Sequence, residues 1–207
     1  MIARGGGGST TSGKDMWVTL NPREQIIAAA MRIVLKKGYG GSGIQEITAS
    51  AGLPKRSFYT YFESKEALGA ELIRQYGESG PRRLCLTDKS LPPLERLRRH
   101  FEATSDLYIE MKYERGCLLG NFSAELANQC PLIRARLAAL FADWTQDIEA
   151  AISEAQRTAA ISTTAHAGRL AIFLLDSYEG AILRARVEKS RHAFDAFMRV
   201  VFTQILA

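Results

Sequence analysis

Lys55, Arg56 and Tyr59 fall on one side of a short helical stretch, at i and i+3 or i+4 spacing, while Phe58 and Phe62, four apart, share the opposite side. Two cations and a phenol presented together can donate to guanine acceptor atoms and to phosphate oxygens. Two aromatics on the back of the same helix would fasten it to a core. The spacing therefore predicts a recognition helix from about Lys55 to Phe62, with Lys55 and Arg56 nearest the base edges. Tyr59 is placed to meet a thymine methyl or a phosphate, and Tyr61 and Lys65 to hold phosphate. Ser57 lies beside them and is ambiguous.

Such a helix needs a frame. Just before it, Ile44, Ile47 and Ala51 recur at i, i+3, i+7, the pattern of one buried helix face. Gly52 follows where a helix exit often needs a positive φ, and Pro54 suits the first turn of the next helix. Two short helices about a sharp turn are the geometry of a helix-turn-helix reader of DNA. Further upstream, Asn21-Pro22 with Glu24 forms a capping box at the start of a first helix, which carries Ile26, Ile27, Ala30, Ile33 and Val34 inward and stops at Gly38. Ser42, at the start of the second helix, and Thr48, on its outer side, are further phosphate candidates, because the positive end of a helix attracts an anion. Ser64 is the expected cap of a fourth helix over Lys65 to Tyr76.

The run from Ile44 to Leu68 reads I-x-x-I-x-x-x-A-G-L-x-x-x-x-F-Y-x-Y-F-x-x-K-x-x-L. It closely resembles the DNA-binding domain of TetR-type transcriptional repressors. At the position of Arg56 the family often has glycine, so this chain adds a long cation there. The resemblance implies an all-α protein: a three-helix head (19–66), then a helical ligand-binding and dimerisation domain (67–207). Residues 1–15 are low-complexity, and a tail over 1–18 is expected to be disordered; Arg4 and Lys14 could touch phosphate, but a tail without contacts is the favoured reading.

Charge agrees with a head that meets phosphate. Of a net charge of +5, residues 1–66 contribute most, with nine Lys/Arg against five Asp/Glu. No apolar run reaches the length needed to span a bilayer, and no secretory signal is visible, so the expected compartment is the cytoplasm, with no membrane partner. Three cysteines, Cys85, Cys117 and Cys130, are an odd number at irregular spacing and fit reduced thiols better than a disulfide frame. His100, His166 and His192 share no ligand spacing, so neither metal nor cofactor is expected; they read as surface or packing residues.

Beyond Gly77 the chain reads as long helices: Pro92 to Tyr113, Pro131 to about Arg157, about Thr164 to Lys189, and about Arg191 to Leu206. The last two have apolar faces wider than one neighbour can cover, and Gly180, Ala181 and Ala185 permit close approach. They are read as half of a four-helix homodimer interface. A two-fold dimer would present two recognition helices to a pseudo-palindromic operator on double-stranded DNA.

Two later segments, Gly116-Cys117-Leu118-Leu119-Gly120-Asn121 continuing through Ser123-Ala-Glu125, and Tyr178-Glu179-Gly180-Ala181 with Arg184 and Arg186, resemble a branch of the family. Its members include repressors answering reactive electrophiles such as N-ethylmaleimide and quinones, and one answering acrylate. By position, Cys117 becomes the candidate sensing thiol, and Arg115 and Lys112 are near enough in sequence to lower its pKa. The alternative is a small buried residue filling a helix crossing. Tyr108, Trp144, Tyr178 and Glu179 complete the candidate effector set, with packing as their other reading. Two other functions compete. A thiol enzyme would need a base within reach of Cys117, and no histidine lies close in sequence. A DNA-binding protein without an effector would have a core without a cavity. The reading favoured is a ligand-responsive regulator with no catalytic residue.

Overall fold

The computed structural model describes residues 21–79 and 81–207, and the side chains of these apart from 81–83. The low-complexity tail lies outside them. Ten α-helices and no strand occur among the described residues, in agreement with the all-α expectation.

The head is α1 (Pro22–Lys37), α2 (Ile44–Ser50) and α3 (Arg56–Tyr61). The capping box at Asn21 forms in both directions: Glu24 N–H donates to the Asn21 side chain and Asn21 N–H to the Glu24 carboxylate. That satisfies two of the donors a helix start leaves unpaired. Helix α1 ends at Gly38, whose φ of 79° is costly for any residue with a Cβ. Ile26, Ile27, Ala30 and Val34 of α1 are buried with Ile47 of α2 and Phe58 of α3. Phe58 and Phe62 lie in ring contact at 5.6 Å, so both are core residues, as their spacing predicts. Gly52 adopts φ +71° in the turn between α2 and α3.

Helix α4 (Lys65–Glu78), capped by Ser64, leaves the head, packs on α1 through Leu68 and Leu72, and continues against α8 (Pro131–Arg157). It runs two residues beyond the predicted Tyr76. A short α5 (Pro81–Leu86) leads to α6 (Pro93–Glu110). Helix α7 (Leu118–Leu126) follows a turn in which Lys112 and Tyr113 have positive φ. Helix α9 (Ala167–Glu188) packs along α8. Helix α10 (His192–Val200), extended by a π-helical turn over Val201–Ile205, packs on α9 and α6.

The outer faces of α9 and α10 leave Ile172, Phe173, Leu183, Val187 and Val200 exposed, Val187 by 83%. A spare apolar face on these helices is expected from the sequence, but of its residues only Phe173 is among those the spacing picks out; Leu174, Tyr178, Ile182, Phe194 and Phe197 are instead buried within the chain. Among the described residues no helix is long and apolar enough to cross a membrane.

Candidate DNA-reading head and effector cavity

At the tip of the head, Lys55, Arg56, Tyr59 and Tyr61 are exposed, and Ser57 is half-buried between them. Helix α3 is only six residues long, so all of these lie within a turn of its start or end. Helical spacing puts Lys55, Arg56 and Tyr59 on one side of α3, and Tyr61, two residues on, faces another way, beside Arg23 and Glu63.

Three other predicted contacts are differently employed. Ser42 is buried, and its hydroxyl donates to the Tyr39 carbonyl at 2.7 Å, closing the turn before α2. Thr48 is buried as well, and its hydroxyl donates back to the carbonyls of Ile44 and Gln45 at 3.0 and 3.1 Å. Neither side chain is presented to a phosphate, so both assignments are corrected to structural roles. The Lys65 ammonium donates to the Tyr39 carbonyl at 2.6 Å and sits 4.1 Å from the Tyr39 ring centre. Its first duty is inside the head, and burial lowers its pKa.

The second site is a cavity of about 140 Å³ between α4, α6, α8, α9 and the start of α7. A void of that size accepts a molecule about as large as benzene. Its wall includes Tyr108, Cys117, Trp144, Tyr178 and Glu179, the five residues predicted as effector contacts from four separate stretches of sequence. The apolar remainder comes from Leu107, Leu175 and Ile182.

Cys117 immediately precedes α7 and is 4% exposed. The Tyr76 hydroxyl lies 3.7 Å from its sulfur, and the Glu179 carboxyl shares a hydrogen bond with the thiol. Burial first, then the neighbouring Glu179 charge, push the thiol pKa up; the Gly120 N–H and the Tyr76 hydroxyl pull the other way. The expected activation by Arg115 and Lys112 therefore fails: nearness in sequence did not become nearness of charge, and Lys112 is exposed in the positive-φ turn. Glu179 is raised by burial, partly offset by the hydrogen bond from Cys117. Burial likewise raises Tyr76 and Tyr108. Tyr178 is tied down more firmly, its hydroxyl donating to the Phe101 carbonyl at 2.9 Å and lying 2.8 Å from Ser105 Oγ.

Among the polar wall residues, Tyr76, Ser79, His100 and Thr104 escaped the sequence reading. Tyr76 continues the Leu68, Leu72 stripe of α4 by one more i+4 step, a signal that was present. His100, read as surface or packing, is buried and lines the cavity. Of the other histidines, His166 accepts from the Gly168 N–H as the cap of α9, and His192 is exposed. All three cysteines are free thiols. Among the described residues, no three His, Cys, Asp or Glu gather in a way that could hold a metal ion.

Helix α7 joins the two sites. At one end, a Cβ added to Gly120 would lie 3.0 Å from the Glu179 carboxylate, a tight contact that the glycine avoids where the α7 start faces α9. At the other end, Glu125 accepts from the backbone N–H groups of Tyr39 and Gly40, at 3.2 and 2.7 Å. Phe122, in the middle, meets the Tyr39 ring edge-on at 5.3 Å.

Residues 26–72 match the family described as bacterial regulatory proteins, tetR family, and residues 93–201 match the tetracyclin repressor-like C-terminal domain. The chain is 38% identical to the HTH-type transcriptional repressor DhaR of Mycobacterium sp. strain GP1, over 89% of this chain and 92% of that one. It is 33% identical to the transcriptional regulator AcuR of Cereibacter sphaeroides, over 85% and 81% respectively. A crystal structure of a regulatory protein TetR from Rhodobacter sphaeroides superposes with a TM-score of 0.80 at 31% identity, covering 86% of this chain and 95% of that one. These relatives are named as regulators of transcription rather than as enzymes.

Proposed function

Because the chain belongs to the TetR family of bacterial transcriptional regulators, we propose that it is a cytoplasmic, homodimeric repressor released from a pseudo-palindromic operator by a small molecule held in the α4–α9 cavity. The sense of regulation follows DhaR, which is named a repressor. Lys55 and Arg56 read base edges, Tyr59 and Ser57 support them, and Tyr61 and Lys65 approach phosphate. Helices α9 and α10 form the dimer interface. Their exposed Phe173, Leu183, Val187 and Val200 are apolar surface in want of a partner. Gly180 on the same helix has nothing within 4 Å of where a Cβ would stand, leaving room for a second helix.

One observation carries the regulatory half of this reading: a single short helix has its start in the cavity wall, beside Cys117, and its last turn clasped to the head, through Glu125. A ligand that prefers a different seat for α7 shifts the head, and it can do so only by its differential affinity for the two states. Coupling of about 1–3 kcal/mol, the usual range, suffices for tenfold release.

The trigger we assign to Cys117. Its sulfur borders the cavity, so an electrophile bonded there would occupy the space that α4, α6 and α9 now share. The test is operator binding by anisotropy, on DNA from upstream of the coding sequence, while N-ethylmaleimide, acrylate and other small carboxylates are titrated. Release of wild type but not of Cys117→Ser supports a thiol trigger. Equal response of both makes Cys117 a wall residue of a reversible site.

A further inference from the structure

The proposed trigger poses a chemical difficulty. A thiolate is the reactive form of cysteine, and here burial and a neighbouring carboxyl both hold the proton on sulfur. The side chains around the sulfur supply a way past it. The Glu179 carboxyl shares a hydrogen bond with the Cys117 thiol, and both line one cavity. The Tyr76 hydroxyl, 3.7 Å from the sulfur, and the Gly120 N–H at the start of α7 favour negative charge on sulfur as the proton leaves. Gly120 brings the two groups together at one point, since a Cβ there would stand 3.0 Å from Glu179 Oε2 and 4.0 Å from the Cys117 Cβ. A nucleophile, an adjacent base and donors for the developing charge thus surround space for a benzene-sized molecule.

We propose that Glu179 is the general base that takes the Cys117 thiol proton as an electron-poor alkene in the cavity bonds to sulfur. The proposal rests on Cys117 being the trigger. In the step, the S–H bond breaks toward a Glu179 carboxylate oxygen while sulfur bonds to the β-carbon of the alkene. The alkene π pair moves onto the adjoining carbonyl as an enolate, whose α-carbon then takes the proton back from Glu179. Hydrogen and sulfur add across the double bond, and no other reactant is consumed. The alkene is a neutral one: among the described wall residues no Lys or Arg awaits an anion, and Glu179 would oppose one.

The pH dependence separates this route from simple thiolate attack. Glu179 must be ionised to act, so the rate climbs as pH rises through its elevated pKa and then levels. Other titratable or charged groups near the pair are Tyr76 on α4, His100 and Tyr108 on α6, Asp176 and Tyr178 on α9, and Arg186, whose Nη1 lies 3.3 Å from where a Gly116 Cβ would stand. The tyrosines are raised by burial and stay protonated across this range.

The experiment measures N-ethylmaleimide adduct formation by intact mass in a Cys85→Ser, Cys130→Ser background, from pH 5.5 to 9. The expected result is one adduct per chain, with a plateau in the rate. Glu179→Gln should slow it by roughly 10²-fold at neutral pH and replace the plateau by a steady climb toward alkaline pH. Glu179→Asp should restore the plateau at a reduced rate. Circular dichroism verifies that both variants are folded. If Glu179→Gln reacts at the wild-type rate with the wild-type pH profile, Glu179 is not the base, although Cys117 remains the trigger. If Cys117 takes no adduct in the background protein, the trigger assignment itself is wrong and the base falls with it.

Discussion

The Glu125 carboxylate on α7 accepts the backbone N–H of Gly40 at 2.7 Å, joining the domain that holds the cavity to the turn that sets the position of α2. Its other oxygen takes the Tyr39 N–H, and the Tyr39 carbonyl in turn receives the Lys65 ammonium. The turn between α1 and α2 is thereby held from two sides, by α7 and by α4.

Replacing Glu125 by Ala leaves two peptide N–H groups without an acceptor. The expected loss of stability is about 1–3 kcal/mol, measured by urea unfolding. Operator binding should persist, because the α3 surface is untouched, while effector-driven release measured by anisotropy weakens. Full retention of the release ratio would rule the clasp out as the link.

Gly38→Ala should be destabilising for two separable reasons. The backbone is at φ 79°, and the new Cβ would lie 2.6 Å from Glu125 Oε1. Combined with Glu125→Ala, the steric part disappears and the backbone part, of order 1 kcal/mol, remains. A double-mutant cycle on unfolding free energies should therefore give a coupling well away from zero.

Lys55→Ala or Arg56→Ala should relax preference at one base pair of the operator by about 1–3 kcal/mol, and leave folding unchanged. Lys65→Ala should behave differently: it flattens the salt dependence of binding on every sequence and also lowers the melting temperature, since the Tyr39 carbonyl loses its donor. Binding isotherms at several salt concentrations, with thermal melts, separate the two classes.

Glu179 has a pKa above the ordinary carboxylate value in the folded chain. The folded state then binds a proton that the unfolded state has released, so stability falls as pH rises from the ordinary glutamate range through the elevated value. Glu179→Gln removes that slope. Its melting temperature should exceed that of wild type by a margin that grows with pH across this window and then stays constant. A margin that shrinks with rising pH would contradict the assignment.

Leu183→Glu places a charge on the exposed stripe of α9, where Leu183 is 56% exposed in the single chain. Sedimentation should show monomers, and operator affinity should drop steeply because two heads no longer arrive together. A variant that remains dimeric with full affinity would move the interface elsewhere.

The head was the legible part because its signals are local. A capping box is four residues long, and Gly52 with Pro54 marks a turn on its own. The side-chain roles were less so: Ser42 and Thr48 are the right types for phosphate, but their hydroxyls bond to carbonyls within a few residues. Of the cavity wall, Cys117, Tyr178 and Glu179 lie in the segments that carry the resemblance, whereas Tyr108 and Trp144 were legible only as apolar-face residues of their helices. What sequence did not convey was electrostatics. Cys117 takes its character from burial first and then from Glu179, a distant residue, rather than from Arg115 and Lys112 beside it. Glu125 had no legible partner, because its partners are peptide N–H groups, which every residue but proline carries.

That choice of partner has a consequence for how such a regulator can change over generations. A new operator would require new side chains at Lys55, Arg56 or Tyr59, and a new effector would require new ones around the cavity. The Glu125 clasp grips only main chain, so neither revision rewrites it. Specificity at either end is free to drift while the linkage between them is inherited intact.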